Sequence, residues 1–326
     1  MKNKRENWID WAKSFAIYSV VLGHITQPDD FEVIQWFTKL GYAFQLPVFF
    51  FLSGYLFNVK SSSISSFIRD SAKKLLIPYV FYNIISAIPL YKLQAPDVWH
   101  RGLNEFLLGE SFSFAGPCWF LFALFFIRIF AFYWNRIKVG MLILFSVLFF
   151  VVIFCNRNIC YSLDSAIISI PFFMLGYYTK KYRAVSKYHN CSCKTKLTCA
   201  FLSILLVFLL VYNKMIGINI AECMFRGDIF TCYLGAFLSI FMLFSICELL
   251  NNYTNKFIMN ISKGCITIMG LHMTILQCLW PFQSKIPDWG TFLLESPFVT
   301  PLVFMLTYFI AIFLIRKTPL LVGFRI

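Results

Sequence analysis

Three ionisable residues stand in the first apolar stretch of this chain, "WIDWAKSFAIYSVVLGH": Asp10, Lys13 and His24. A histidine accepts a proton at neutral pH, a lysine holds or polarises a negative group, and an aspartate can orient either. Lys13 and His24 are eleven residues apart. On a helix they therefore differ by only about 20° in direction and lie about 16 Å apart along the axis. Asp10, three residues before Lys13, falls on the same face and within pairing distance of it. One helical stripe thus carries all three groups. A charge deep in a membrane span costs about 2.5 to 3.5 kcal/mol on insertion scales, so such a stripe faces a partner or a polar cavity. Plainer uses stay open: Asp10 and Lys13 lie near one end, where they can snorkel to headgroups, and an interfacial histidine such as His24 can be structural.

The elements that hold this stripe are membrane helices. Of the 326 residues, 59% are hydrophobic, 20% aromatic and only 13% charged, far from the balance of a soluble domain. Apolar runs near the spanning length of about 20 residues recur at 8–27, 39–58, 76–93, 116–134, 139–154, 164–179, 199–214, 226–250, 264–282 and 298–316. They are continuous rather than alternating, which favours helices over a β-barrel. The expected fold is an all-α polytopic integral membrane protein with about ten transmembrane helices. Prolines 78, 117, 171, 297 and 301 punctuate span ends, where a missing amide donor matters least. The longest connections, 94–115 and 180–198, are too short for a second domain. A single membrane-embedded domain over 1–326 is expected, with no appended soluble domain. Neither a fixed repeat nor an inverted pair of broken helices marks a transporter.

A net charge of +14 would suggest nucleic acid in a soluble protein, but the placement of the charge says otherwise. With a cytoplasmic N-terminus, 20 of the 29 basic residues fall on the cytoplasmic side, including Lys180, Lys181, Arg183, Lys187, Lys194 and Lys196 in one connection. That asymmetry predicts both termini in the cytoplasm and an even number of spans. No nucleic-acid partner is expected. The basic N-terminal cluster has no small-residue cleavage site after it, so the following run reads as a retained helix. Of eleven cysteines, Cys155 and Cys160 share an outer connection and can pair. His189, Cys191, Cys193 and Cys199 match no zinc spacing, and no metal is expected.

The pattern "D..K..........H", with Gly23 before His24, resembles the opening of the membrane-bound acyltransferase-3 family, in the branch of sugar O-acetylases that carries lysine at position 13. The resemblance continues in order through "LPVFFFLSGYLF" (46–57), "LLIPYVFYN" (75–83), "CWFLFALFF" (118–126) and "GCITIMGLHMTIL" (264–276). There are departures. The family often places two basic residues three apart before the "PY"; here Lys74 fits the second position, but Ser71 occupies the first, where Arg69 or Lys73 can substitute. Near the end, Ser262, Cys265 and Met269 replace the usual glycine, serine and tyrosine, while His272 is kept.

The resemblance implies transfer of an acetyl group from acetyl-CoA, a substrate rather than a bound cofactor, to a hydroxyl of a cell-surface glycan or its lipid-linked precursor. His24 is then the general base, with Asp10 paired to Lys13, and Lys13 facing the donor. Arg69, Lys73 and Lys74 stand where coenzyme A phosphates would arrive, although positive-inside charge explains them equally well. Trp119 and Phe120 either wall the pocket or simply pack. His272 either lines the cavity or packs helices, and Glu222, Arg226 and Asp228 are candidate acceptor contacts. Ser53 and Gly54 read as a close helix contact. The expected partners are the bilayer of the inner (plasma) membrane, acyl-CoA and the glycan or lipid-linked sugar. The alternatives are a glycolipid flippase, or the same fold with another acyl donor or a lipid acceptor.

Overall fold

Each of the ten apolar runs folds as a helix. The computed structural model describes residues 5–26, 30–59, 63–93, 96–154, 161–213, 217–279 and 296–323. The Cys155 and Cys160 pair lies outside them, as do Lys2, Lys4, Lys60, Arg157, Lys214, Lys285 and Arg325. In chain order the helices are α1 (Asn7–Ile25), α2 (Glu32–Tyr55), α3 (Ile64–Leu93), α4 (Pro96–Leu108), α5 (Trp119–Trp134) and α6 (Lys138–Phe154). They continue with α7 (Leu163–Lys181), α8 (Ala184–His189), α9 (Cys193–Tyr212), α10 (Ile229–Leu249), α11 (Lys256–Leu279) and α12 (Ser296–Lys317). The short α4 and α8 occupy the two connections that sequence patterning leaves irregular. A two-residue hairpin, β1 (Ile218–Asn219) with β2 (Met224–Phe225), precedes α10.

This is an all-α membrane protein. Among the described residues, four helices are long and apolar enough to cross a membrane by length and composition: α5 with the 3-10 turn before it, α9, α10 and α12. The apolar α6 is shorter. Helix α1 carries Asp10 and Lys13 within its length, which lowers its apolar character but suits a position inside the bundle, where α2, α10, α11 and α12 surround it. Helices α9 and α10 start on side-chain caps. Thr195 donates its backbone N–H to Ser192 at 3.1 Å, and Thr231 donates to Asp228 at 2.8 Å.

The family-like segments act largely as joints. In "LLIPYVFYN", Tyr79 donates to the Phe106 carbonyl at 2.6 Å, tying α3 to α4. Tyr82 shares a 2.7 Å hydrogen bond with Thr267 of α11, and Asn83 accepts from the Ala115 amide at 3.0 Å. Three residues thus hold α4, α11 and the start of α5 on one helix. The segment "LPVFFFLSGYLF" supplies the tightest joint. A Cβ on Gly54 would lie 1.9 Å from the Phe173 carbonyl oxygen of α7, and one on Gly176 would lie 1.9 Å from the Phe51 carbonyl oxygen of α2. The two backbones touch reciprocally, as small residues permit between membrane helices.

The loop after α4 docks on the start of α7: Tyr161 donates its backbone N–H to the Leu108 carbonyl at 2.7 Å, and the Ser162 hydroxyl donates to the Gly109 carbonyl. Half-buried Glu110 sits there; burial, then the neighbouring charge of Asp164 and Glu105, pushes its carboxyl up to about 7. A folded-state value above the unfolded one means the folded chain holds more protons between them, so stability falls as pH rises through that window. Thermal unfolding in detergent is expected to show this decline between about pH 4.5 and 7, and Glu110→Gln is expected to flatten it. Gly54→Ala and Gly176→Ala each drive a methyl into a backbone carbonyl that no rotamer change relieves. Either is expected to lower stability by about 1 to 3 kcal/mol or more, read by the same measurement.

Candidate functional site

Helix α1 brings its stripe up against α11, and the two run in the same direction. Near their starts, Ser14 approaches the Ile258 carbonyl at 3.4 Å, and the Cys265 thiol lies 3.8 Å from the Lys13 carbonyl oxygen. At the other end His24 meets His272, with Nδ1 and Nε2 3.4 Å apart and ring centroids 5.0 Å apart. Sequence reasoning named both histidines; their contact is a property of the fold.

The hydrogen bonds fix which nitrogens carry protons. His24 Nδ1 lies 2.7 Å from the Val20 carbonyl oxygen, and His272 Nδ1 lies 2.9 Å from that of Ile268. A carbonyl oxygen can only accept, so both Nδ1 atoms are the donors and both Nε2 atoms keep a lone pair. His272 Nε2 lies 3.4 Å from His24 Nδ1, the weaker arm of a hydrogen bond whose main acceptor is the Val20 carbonyl. That leaves His24 Nε2, which has no hydrogen-bond partner among the described residues. His272 is fully buried, whereas His24 stays exposed although protein surrounds it. The exposed His24 can therefore meet an incoming group with its Nε2. The arrangement can take a proton at His24 Nε2 while His272 and the Val20 carbonyl hold the ring from behind.

The Asp10 carboxylate does not pair with Lys13. Arg5 lays its guanidinium on it, with Nε to Oδ2 at 2.6 Å and Nη2 to Oδ1 at 2.9 Å. The chain before α1 folds back far enough for a planar fork to meet both oxygens, a match that a single ammonium cannot make. Asp10 is thus a buried anchor at the start of α1, and the half-buried Lys13 keeps its ammonium for other use. Around the same end, Glu6 accepts from Lys180 at 2.7 Å, Tyr55 at 2.6 Å and Trp8 at 3.1 Å. Burial alone would raise the Glu6 carboxyl, but these bonds outweigh it and hold it below its ordinary value. Asn251 fastens the first turn by taking the Trp8 amide on its side chain and the Asn7 side chain on its carbonyl.

The other candidates divide between the two ends. Arg69 and Lys73 are exposed and Lys74 half-buried on the first turns of α3, at the end that holds Arg5. Trp119 is buried at the start of α5 against Phe120, behind a 3-10 turn (Gly116–Cys118) that packs on α11. Glu222, Arg226 and Asp228 are exposed around the hairpin, with Asp228 engaged as the cap of α10. The Arg226 backbone N–H donates to the Gly217 carbonyl at 2.8 Å, and Gly217 lines a small cleft with Tyr42, whose hydroxyl donates to the Gly23 carbonyl at 2.8 Å. Tyr42 is a site residue that spacing did not reveal. An apolar hollow of about 430 Å³ opens between α3 and α4, lined by Ile84, Ala87, Ile88, Trp99, Leu103 and Phe106 among others. Among the described residues no group of three or more His, Cys, Asp or Glu side chains could hold a metal ion.

The profile of a family described as an acyltransferase domain matches residues 6–316. The chain is also similar to two proteins named Nodulation protein NolL. The one from Sinorhizobium fredii (strain NBRC 101917 / NGR234) is 34% identical over 130 residues, covering 37% of this chain and 34% of that protein. The one from Mesorhizobium japonicum (strain LMG 29417 / CECT 9101 / MAFF 303099) is 28% identical over 132 residues, 38% of this chain and 34% of that protein. The chain thus spans about a third of the length of the curated relatives it matches. No solved structure matches.

Removing the Arg5 fork strands a buried carboxylate, whereas removing Lys13 strands nothing in the resting protein. Arg5→Ala is therefore expected to lower the unfolding temperature of the purified protein, and Lys13→Ala to leave it nearly unchanged. Equal losses would return Asp10 to Lys13.

Proposed function

This chain belongs to the acyltransferase-3 family, and from that premise we propose that it moves an acetyl group from acetyl-CoA to a hydroxyl of a cell-surface glycan or its lipid-linked precursor. The observation that carries the reading is the exposed His24, with Nδ1 committed to the Val20 carbonyl and Nε2 without a hydrogen-bond partner among the described residues. In this mechanism Nε2 takes the proton of the acceptor hydroxyl as its oxygen attacks the thioester carbonyl. The C–S bond then breaks, and the proton passes from His24 to the departing coenzyme A sulfur, so that the ester and a thiol leave and the histidine is neutral again. General base catalysis of this kind contributes about 10² to 10⁴ in rate. His272 positions the base: its Nε2 accepts from His24 Nδ1–H and so steadies the transient imidazolium.

Lys13, about 16 Å from His24 along the helix axis, is too far to touch the same carbonyl and instead grips the donor. Arg69, Lys73 and Lys74 attract its phosphates, and the acyl end reaches His24 along the α1 stripe. Both termini are then cytoplasmic, ten helices cross the plasma membrane, and the chain works as one membrane-embedded domain. Arg226 and Tyr42 stand on the acceptor side. The apolar hollow between α3 and α4 favours an acceptor that arrives on a lipid.

Mass spectrometry of surface glycan from cells carrying the wild-type gene, no gene or His24→Ala tests this. Only the wild type is expected to add the mass of an acetyl group less one hydrogen, with His24→Ala still inserted in the membrane at normal level. Acetylated glycan in the His24→Ala cells removes the base assignment, and glycan missing from the surface with its mass unchanged turns the reading into a flippase.

A further inference from the structure

Helix α5 carries a single charged residue, Arg128, in the run "WFLFALFFIRIFAFYW". It lies six residues before the helix end at Trp134, about 9 Å along the axis, within a segment apolar enough to cross the membrane. An ionisable group at such a depth calls for a specific use. The Arg128 guanidinium carbon lies over both the Phe57 and the Phe67 ring, 5.4 and 5.5 Å from their centroids. Its Nε–H donates to the Ser71 hydroxyl at 3.2 Å.

Ser71 is fully buried, and it stands where the family commonly has the first of its two basic residues. The serine is short, and the space it leaves is taken by a guanidinium from another helix. Lys74, three residues on, follows one turn further along the same face of α3. Two aromatic faces and one hydroxyl fix the guanidinium plane through Nε, and neither Nη nitrogen has a hydrogen-bond partner among the described residues. Neither is sealed from solvent. The guanidinium is therefore a preformed fork.

We propose that Arg128 is a donor-binding residue: its guanidinium, fixed by Ser71, Phe57 and Phe67, takes the place of the basic side chain missing at position 71 and grips a phosphate of the acyl-CoA donor together with Lys74. A guanidinium fork matches phosphate oxygens two at a time, which a lone ammonium does not. The proposal rests on the acyltransferase reading and adds to it a residue that neither the motif order nor the charge pattern of α3 contains.

The test uses the full chain purified in detergent and measures equilibrium binding of two probes. Coenzyme A carries the phosphates, and pantetheine carries the same thiol arm without them. Arg128→Gln is expected to weaken coenzyme A about 10- to 100-fold and to leave pantetheine unchanged. The exchange variant, Ser71→Arg with Arg128→Ser, is expected to restore coenzyme A to within a few-fold of the wild type. Unchanged coenzyme A binding by Arg128→Gln overturns the proposal. So does equal weakening of both probes, which marks Arg128 as packing alone. A wild type that binds neither probe removes the donor assignment itself, and with it both readings.

Discussion

Hydrocarbon offers no hydrogen bonds, and that constraint governs how the polar helix α1 is built into this protein. A stripe with Asp10, Lys13 and His24 would be costly against lipid, so α1 sits among α2, α10, α11 and α12 and meets its needs inside the bundle. Arg5 answers Asp10, the Asp10 and Val20 carbonyls answer Ser14 and His24, and Thr26 bonds both the Leu22 carbonyl and Thr38. The remaining architecture follows. Helix α2 must approach α1 closely enough that a Cβ on Gly41 would strike Ser19, and α2 must itself be held by α7 through the contact of Gly54 and Gly176. The helices farther from α1, such as α6 and α9, can then be apolar over most of their surface.

The catalytic proposal draws on the same constraint. A histidine pair in an apolar surrounding is useful when each ring has one nitrogen tied to a carbonyl, because the tautomer is then set and one lone pair is left to react. His24 and His272 achieve this with their own helical carbonyls, at Val20 and Ile268. No other helix need supply an orienting carboxylate. The Asp10 carboxylate is held by Arg5 where α1 begins.

Much of this was legible in the residues. The ten helices followed from continuous apolar runs, and the α1 stripe from helical angles. Gly54 read correctly as a close contact because a small residue in a span has few other uses. What could not be read is instructive. Arg5 lies before α1, in a segment whose direction no periodicity reports, so Lys13 looked like the natural partner of Asp10. The hairpin at 218–225 has strands of two residues, too short for alternation to register. Helix α4 was hidden in a polar connection because its apolar side is only a stripe. Arg128 beside Ser71 joins two helices whose contact lies 57 residues apart in the chain, and a pattern search that looks for two basic residues on α3 finds only one. The family-like segments marked the order of the joints without saying what each joint touches: Tyr79, Tyr82 and Asn83 face three different elements.

The separation of the two histidines sets a clock on the protein's assembly. They meet across 248 residues, so one ring waits in the membrane while most of the chain is still being made. At a synthesis rate of about 5 to 20 residues per second, that interval is about 12 to 50 seconds. During it α1 has neither α10 nor α11 beside it, and its polar stripe must be tolerated by whatever helices have already arrived. His24 therefore gains its contact with His272 only late in biosynthesis, and chains interrupted before α11 carry one ring without the other.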